Sequence, residues 1–214
     1  MNKKRLALVA VILMIVFTFS GLLVLFGDNS VNLTSITLIV GIVFYFVTRE
    51  PEEKEAMSLK AVPKVLKDWK TDLLILIPIM MNIICYAFAK AFVPEFLEHL
   101  SERTNFLSTG QIIVLIAELI VAALGEEIAW RGFFLTKLSK RFPFIPALLI
   151  TATLFSLCHF SVGSFVAVLY DLIFIAVNAV FYGIIYKRSN SIIVSTISHL
   201  LANLVGIFGL FLVM

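Results

Sequence analysis

Two adjacent carboxylates occur in the middle of a strongly apolar stretch, in the run Gly125-Glu126-Glu127-Ile128-Ala129-Trp130-Arg131. An ionisable side chain inside an apolar helix is costly unless it is paired or hydrated, so each such residue is a candidate for function. Packing alone gives no reason for two neighbouring glutamates at this position. Glu126 and Glu127 are therefore the first place to look for chemistry.

Helical geometry separates the roles of the two glutamates. Glu127 and Arg131 are four residues apart on one face, with the acid toward the N-terminus, which is the favourable order for an ion pair. Glu126 points roughly 100° away. It lacks that cation and is free to accept a proton as a general base. For Glu127 with Arg131, a buried pair that only fastens helices together is the simpler interpretation.

Two histidines and an amide lie in later apolar stretches. His159 ends the run Phe155-Ser156-Leu157-Cys158-His159, and His199 and Asn203 are four apart, so they face the same way on a helix. Together with Glu126 they can polarise a water, accept its proton and stabilise an oxyanion, as peptide hydrolysis without a serine or cysteine nucleophile requires. Glu126, His159 and His199 could also hold zinc with an open position, so both mechanisms stay open.

Two further acids could support His159. Asp171 and Glu118 fall in the outer halves of their apolar stretches, near the expected level of His159. Either could accept the second ring proton of His159, which would fix the tautomer and raise the basicity of the other nitrogen. A hydrated polar residue near the outer surface is the simpler interpretation of each acid.

The elements that must position these residues are membrane helices. The chain has 214 residues, of which 61% are hydrophobic and 14% charged, with a mean hydropathy of +1.05. Soluble domains carry nearly twice that share of charge. The apolar blocks are long enough to span a bilayer as helices, and they lie at 6–26, 31–47, 73–92, 112–135, 144–160, 165–186 and 192–213.

The sequence therefore predicts an all-α, polytopic transmembrane bundle of about seven spans. It forms a single membrane domain, in which 1–110 supply N-terminal spans and a cytoplasmic loop and 111–214 form the catalytic core. The net charge of +3 comes from residues at helix ends, which gives no support for a nucleic-acid partner. The expected partners are the lipid bilayer and a peptide or membrane-protein substrate, and the sequence carries no signal of oligomeric state.

Loop charges predict the orientation in the cell membrane, because short cytoplasmic loops accumulate Lys and Arg. The basic loops are the first five residues, 49–70, 137–141 and 187–188. The alternate loops contain Asp28, then three glutamates against Arg103, then the uncharged turn 161–164. The N-terminus is therefore expected in the cytoplasm and the C-terminus outside.

The three motifs together resemble a known family. Glu126-Glu127-x-x-x-Arg131, Phe155-x-x-x-His159 and His199-x-x-x-Asn203 are similar to the motifs of the CPBP family of intramembrane proteases. That family comprises CAAX prenyl endopeptidases and bacterial relatives linked to bacteriocin processing and self-immunity. Trp130-Arg131-Gly132-Phe133 and the pair Gly183 and Tyr186 add to the resemblance, which covers roughly 112–205. Family members such as the prenyl endopeptidases have eight spans, so an eighth span stays open.

The resemblance implies a role for each residue. Glu126 activates water, His159 helps to orient or deprotonate it, and His199 with Asn203 stabilises the oxyanion. Glu127 and Arg131 support the site. The family leaves metal dependence open, so no cofactor is assigned beyond zinc as an alternative. The implied activity is that of an intramembrane endopeptidase, in peptide maturation or bacteriocin self-immunity.

Two other classes of function are alternatives. A non-catalytic immunity or scaffold protein would keep the fold and act by binding. An ion-coupled transporter would use the intramembrane carboxylates and histidines as a proton relay. The transporter is disfavoured because the sequence shows neither repeat symmetry nor broken-helix signals in both halves.

Overall fold

The computed structural model describes residues 2–26, 34–65, 67–105, 107 and 110–213. These residues form helices and connecting turns and contain no strand, which confirms the all-α prediction. Asp28, the start of the predicted second span and the C-terminal Met214 lie outside the described residues.

The helices follow the predicted apolar blocks, with short helices between them. They are α1 (Lys3–Ser20), α2 (Thr34–Thr48), α3 (Pro51–Glu55), α4 (Val62–Val65), α5 (Trp69–Phe92), α6 (Glu95–Thr104), α7 (Ile112–Glu127), α8 (Thr136–Ser139), α9 (Phe144–Leu157), α10 (Phe165–Ser189) and α11 (Ile192–Val213). Gly21–Phe26 and Leu59–Ala61 are 3₁₀ turns, and a π-helical segment, Ile128–Leu135, joins α7 to α8.

Four of these helices are long and apolar enough to cross a membrane. They are the segments Lys3–Leu23, Trp69–Phe92, Phe165–Ser189 and Ile192–Leu212. The helices α2 and α9 are apolar but shorter, with 15 and 14 residues. At 1.5 Å per residue each covers about 20 Å of a hydrocarbon core about 30 Å thick. The structure therefore shows a membrane-type helical protein, and the count of seven spans stays a prediction.

Short connections set the ends of the two helices that flank His159. The helix α9 begins directly after Pro143 and ends at Leu157, so His159 lies in the turn beyond it. The helix α10 begins at Phe165 and is capped by Ser164, whose hydroxyl accepts a hydrogen bond from the amide of Ala167. Such an N-cap satisfies an amide that the first helical turn leaves without a partner. The turn carrying His159 is thus held between two defined helix ends.

Close approach of the π-helical segment to its neighbours depends on glycine. A Cβ atom on Gly41 of α2 would lie 2.5 Å from the Cβ of Ala129, and one on Gly132 would lie 2.7 Å from Ile192 Cδ1. Small residues allow backbones to approach closely in membrane bundles, where lipid competes with protein packing. The segment after Glu127 is consequently packed between α2 and α11, in the largest apolar cluster of the described residues.

A buried carboxylate ties the loop after α2 to the end of α8. Glu53 is 8% exposed and accepts hydrogen bonds of 2.7 Å from both Lys137 and Lys140. Burial raises the pKa of this carboxyl, but the hydrogen bonds from the two lysines outweigh burial and hold the pKa below its usual value. The backbone amide of Ile192 donates to the carbonyl of Ala56 and fixes the same loop to the start of α11.

The Glu53 contacts should contribute stability that depends on pH. We expect Glu53→Gln to lower the free energy of unfolding in detergent by about 1 to 3 kcal/mol near neutral pH, because two charged donors lose their ionised partner. A lowered pKa means that this stability is present above the unfolded pKa, about 4.3, and is lost as the pH falls through the folded value. Thermal unfolding across a pH series measures the difference, with Glu55→Gln, an exposed neighbour, as control. An equal loss in both variants would contradict the assignment.

The predicted orientation is tested by labelling introduced cysteines. We expect Lys60→Cys to be protected from an impermeant thiol reagent in intact cells and Glu98→Cys to react, because the first lies in a basic loop and the second in an acidic one. Both positions are exposed in the structure. Reaction after permeabilisation is the control for Lys60→Cys, and the unmodified protein controls for the two natural thiols. Labelling of position 60 in intact cells would reverse the orientation.

Candidate active site

The structure brings Glu126, His159 and His199 together. Glu126 is in the last turn of α7, and its side chain is 21% exposed to a cavity of about 660 Å³. The Nε2 atom of His159 lies 3.9 Å from Glu126 Oε1, and the Nε2 atom of His199 lies 3.6 Å from Oε2. Side chains from three separate parts of the sequence therefore face each other across one small space.

The tautomer of His159 is fixed by its own helix end. Its Nδ1 atom lies 2.8 Å from the carbonyl oxygen of Phe155, which only accepts hydrogen bonds, so Nδ1 carries the hydrogen. The lone pair of the neutral ring is then at Nε2, the atom that faces Glu126. His159 can accept a proton there, or orient a water by accepting its hydrogen bond.

This geometry corrects the expected role of Asp171. The acceptor for the second ring nitrogen of His159 is the carbonyl of Phe155, and Asp171 instead pairs with Arg103 and His99. Glu118 and Asp171 do line the cavity that contains Glu126, His159 and His199. The sequence placed these acids at a similar depth, but the rotation of α10 about its axis decides which partner Asp171 reaches.

The imidazole of His199 is held on two sides. Its Nδ1 atom lies 2.9 Å from Glu127 Oε1, and its ring stacks on Tyr182, with centroids 4.4 Å apart and planes 18° apart. The side chain is only 5% exposed. Because the ionised carboxylate only accepts hydrogen bonds, Nδ1 carries a hydrogen, and Nε2 is directed toward Glu126.

Glu127 has more partners than the sequence predicted. Its carboxylate is fully buried and receives hydrogen bonds from Arg131 Nη1 at 2.8 Å, His199 Nδ1 at 2.9 Å and Ser195 Oγ at 2.6 Å. Helical spacing predicts the contact with Arg131, four residues on. The contacts with α11 make Glu127 a positioning residue for His199, in addition to a partner for the guanidinium.

Arg131 fastens three helical segments around this carboxylate. Its Nη2 atom donates to the carbonyl oxygen of Ala179 in α10, at 3.0 Å. The guanidinium also lies over the rings of Phe155 and Tyr182, at 4.7 and 5.2 Å from their centroids. Cation–π contacts of this kind are stronger when water is excluded, and Arg131 is only 1% exposed.

A π-helical segment begins immediately after Glu127. Its hydrogen bonds join residues five apart, so each turn is wider than in an α-helix, and such segments are often found at functional sites. The hydroxyl of Thr136 donates to the carbonyl of Arg131 at 2.8 Å. A buried backbone acceptor at the end of the wide turn is thereby satisfied. Nothing in the apolar pattern of 128–135 predicts this departure from α-helical periodicity.

The site can hold a water molecule. Glu126 and Nε2 of His159 both accept hydrogen bonds, and their separation of 3.9 Å is too long for a direct bond. A water between them would donate one hydrogen to each. Asn203 is one turn beyond His199 on α11 and lines the same cavity.

The zinc alternative uses the same three side chains. Histidine nitrogens and a glutamate oxygen are ligand types that zinc prefers. Within the described part of the chain, however, no group of three or more His, Cys, Asp or Glu side chains has an arrangement that could hold a metal ion. Zinc at this site stays a prediction.

Three residues of the site had no predicted role. Ser195 binds Glu127, Tyr182 stacks on His199, and Phe155 supplies both the acceptor for His159 and a ring against Arg131. Ser195 is one helical turn before His199, and this spacing was the available signal for a shared face. Tyr182 has no comparable signal, because its partners lie on other helices.

Comparison with known proteins supports the interpretation of the motifs. Residues 108–205 match the family model described as type II CAAX prenyl endopeptidase Rce1-like. The match spans slightly less than half of the chain and contains all three motifs, so the resemblance to the CPBP family of CAAX proteases is confirmed for this region. No curated protein and no solved structure gives a significant match to the chain.

The shared carboxylate leads to a prediction about Glu127. Glu127→Ala should lower the free energy of unfolding by about 3 to 5 kcal/mol, because a buried guanidinium loses its counter-charge. Adding Arg131→Met should restore much of this stability but little hydrolysis of an identified substrate, since His199 still lacks its partner. Thermal unfolding and turnover of purified variants in detergent measure the two effects.

The matched control for this pair is Glu126→Ala, which removes a partly exposed carboxylate from the same helix turn. It should abolish turnover and cost far less stability. Full recovery of turnover in the Glu127→Ala, Arg131→Met double variant would show that Glu127 acts only through the buried ion pair.

Proposed function

We propose that this protein is an intramembrane endopeptidase of the CAAX type, which hydrolyses a peptide bond with water activated by Glu126. The convergence of Glu126 with the Nε2 atoms of His159 and His199 carries the proposal. The family match over 108–205 supports a protease of this class. A carboxylate inside a membrane helix is costly, so its presence in a cavity beside two histidines favours a functional role.

Activation of the water begins with its two hydrogen bonds. Glu126 and Nε2 of His159 accept one hydrogen each, which orients an oxygen lone pair toward the scissile carbonyl carbon. As the new C–O bond forms, Glu126 accepts the proton. It later delivers this proton to the leaving nitrogen, so the carboxylate is regenerated when the C–N bond breaks. His159 stays neutral and keeps the water oriented toward the scissile carbonyl carbon.

Stabilisation of the oxyanion is assigned to His199 and Asn203. Because Nδ1 of His199 is already committed to Glu127, the ring can donate from Nε2 only when both nitrogens carry hydrogens. The buried carboxylate of Glu127 stabilises this positive ring. The amide of Asn203 supplies a second donor from the same face of α11, and such donors act on charge that develops in the transition state.

The substrate would enter a space within the helical bundle. The cavity is lined by apolar side chains as well as by the catalytic residues, which suits an extended peptide with apolar side chains or a segment of a membrane protein. We place the physiological role in peptide maturation or bacteriocin self-immunity, in line with the bacterial relatives named above. A binding protein without catalysis is the second candidate, and Glu126→Gln separates the two.

The first experiment finds the substrate. Membranes from cells with the native protein and with Glu126→Gln are compared by quantitative proteomics of peptide termini. We expect at least one new terminus that depends on the carboxylate, because glutamine keeps the shape of the side chain and cannot accept the proton. Glu98→Gln, at an exposed acid outside the cavity, controls for the loss of charge. A cellular phenotype that survives Glu126→Gln would favour the binding protein.

The second experiment ranks the catalytic residues on that substrate. Glu126→Ala and His159→Ala should abolish detectable cleavage by purified protein, and His199→Ala or Asn203→Ala should lower turnover by about 10² to 10³. Turnover is normalised to folded protein and repeated with a strong zinc chelator. Full activity of Glu126→Ala would refute the mechanism. Chelator-sensitive activity that zinc restores would show that Glu126, His159 and His199 hold zinc, which would then supply the activation of water.

A further inference from the structure

A single guanidinium faces the cavity from outside the family-matched region. Arg103 is in the last turn of α6, and its side chain is 22% exposed. It is the one Lys or Arg among the described residues that line the cavity, which also contains Glu126 and His159. A fixed cation therefore shares the space in which the proposed function places the substrate.

The guanidinium of Arg103 is oriented by buried partners. Its Nε atom lies 3.0 Å from Asp171 Oδ2, and its Nη2 atom donates to Asp171 Oδ1 at 3.3 Å. Asp171 is only 3% exposed, and His99 Nε2 lies 3.5 Å from its Oδ2 atom. The Oγ atom of Ser161 lies 3.3 Å from the same ring nitrogen. A side chain held in this way loses little conformational entropy when it binds a further group.

Arg103 retains hydrogen-bonding capacity after pairing with Asp171. A guanidinium has five N–H groups. Asp171 lies along the edge formed by Nε and Nη2, where Nη2 donates a hydrogen bond and Nε makes an ion-pair contact without hydrogen-bond geometry. Within the described part of the chain, Nη1 makes no hydrogen bond, and it is not among the buried polar atoms without a partner. The remaining N–H groups of Nη1 and Nη2 form a second edge, and this fork matches the two oxygens of a carboxylate.

The other fixed charges in the cavity make this edge selective. Glu126 lines the same space and would repel an anionic group of a bound peptide, and Asp171, which also lines it, already faces one edge of Arg103. A carboxylate on the peptide is thus favoured beside the other edge of Arg103 and disfavoured beside Glu126. Such a combination of attraction and repulsion fixes the register of a ligand.

We propose that Arg103 binds a carboxylate of the substrate peptide and thereby sets which bond reaches Glu126. This inference rests on the proposed function, because it places a peptide in the catalytic cavity. The carboxylate is either the C-terminus of the peptide or an Asp or Glu side chain, since both present the same pair of oxygens. Arg103 is a specificity residue here and takes no part in bond cleavage.

The test separates binding from catalysis. The full chain carrying Glu126→Gln, in lipid nanodiscs, is incubated with four pools of randomised short peptides. The pools end in a carboxylate or an amide, and contain Asp and Glu or only Asn and Gln at matched positions. Bound peptides are recovered and quantified by mass spectrometry. We expect one source of carboxylate to be enriched by about tenfold or more, as for a charge-assisted hydrogen bond.

Three added substitutions give the decisive comparison. In the Glu126→Gln protein, Arg103→Gln should remove the enrichment and leave recovery of amidated, uncharged peptides unchanged. Arg141→Gln, an equal change of charge at an exposed position outside the cavity, should keep the enrichment. Arg103→Lys keeps a cation beside Asp171 and loses the planar fork, so it should reduce the enrichment severalfold while the fold is retained.

Each outcome supports or overturns the proposal. Enrichment of the terminal carboxylate or of the acidic side chains identifies the source. The proposal fails if neither kind of carboxylate is enriched, or if Arg103→Gln and Arg103→Lys keep the enrichment. It also fails if these two substitutions weaken the binding of all pools equally, which is the result expected if Arg103 only holds α6 against α10. Selected peptides are then offered to protein that retains Glu126. Arg103-dependent binding without cleavage would contradict the proposed hydrolysis and leave the carboxylate site intact.

Discussion

The carboxylate of Glu127 is the point on which the site depends. A fully buried anion requires compensation, and here the compensation comes from Arg131, Ser195 and His199, which belong to two different helical segments. Satisfying this one charge fixes the rotation of α11 relative to α7. The Nε2 atom of His199 is then directed at Glu126, 3.6 Å from its Oε2 atom. The neighbouring carboxylate consequently stays open to the cavity.

This division explains why two adjacent glutamates occur together. Glu127 is ion-paired with Arg131 inside the bundle, whereas Glu126 faces the cavity, where we propose that it activates water. A helix places their side chains about 100° apart, so one can face the bundle interior while the other faces the cavity. The aromatic rings of Phe155 and Tyr182 complete the arrangement, since each contacts both Arg131 and His199. Disturbing either ring would affect charge compensation and the orientation of His199 together.

Sequence spacing predicted the helical class and the residues that meet, because residue types and local periodicity are encoded along one helix. The pair Glu127 and Arg131 is of this kind. Contacts between helices were harder to predict from the sequence, since they depend on how each helix is rotated about its axis and how deep it lies in the bundle. Asp171 therefore has Arg103 and His99 as partners, whereas the sequence suggested His159. Helix length was also overestimated for α9, because apolar residues continue into the turn that holds His159.

The π-helical segment Ile128–Leu135 has a consequence for comparing this chain with its relatives. A hydrogen bond that spans five residues accommodates one residue more than a regular turn does, so the segment acts as a built-in insertion. The residues before it, including Glu126, and those after it, including Lys137, follow two different angular registers. The continuous helical stretch from α7 to α8 can therefore direct Glu126 into the cavity at one point and Lys137 onto Glu53 at its far end. If residues are assigned to helix faces with a uniform α-helical period, those after the π-helical segment are placed on the wrong face.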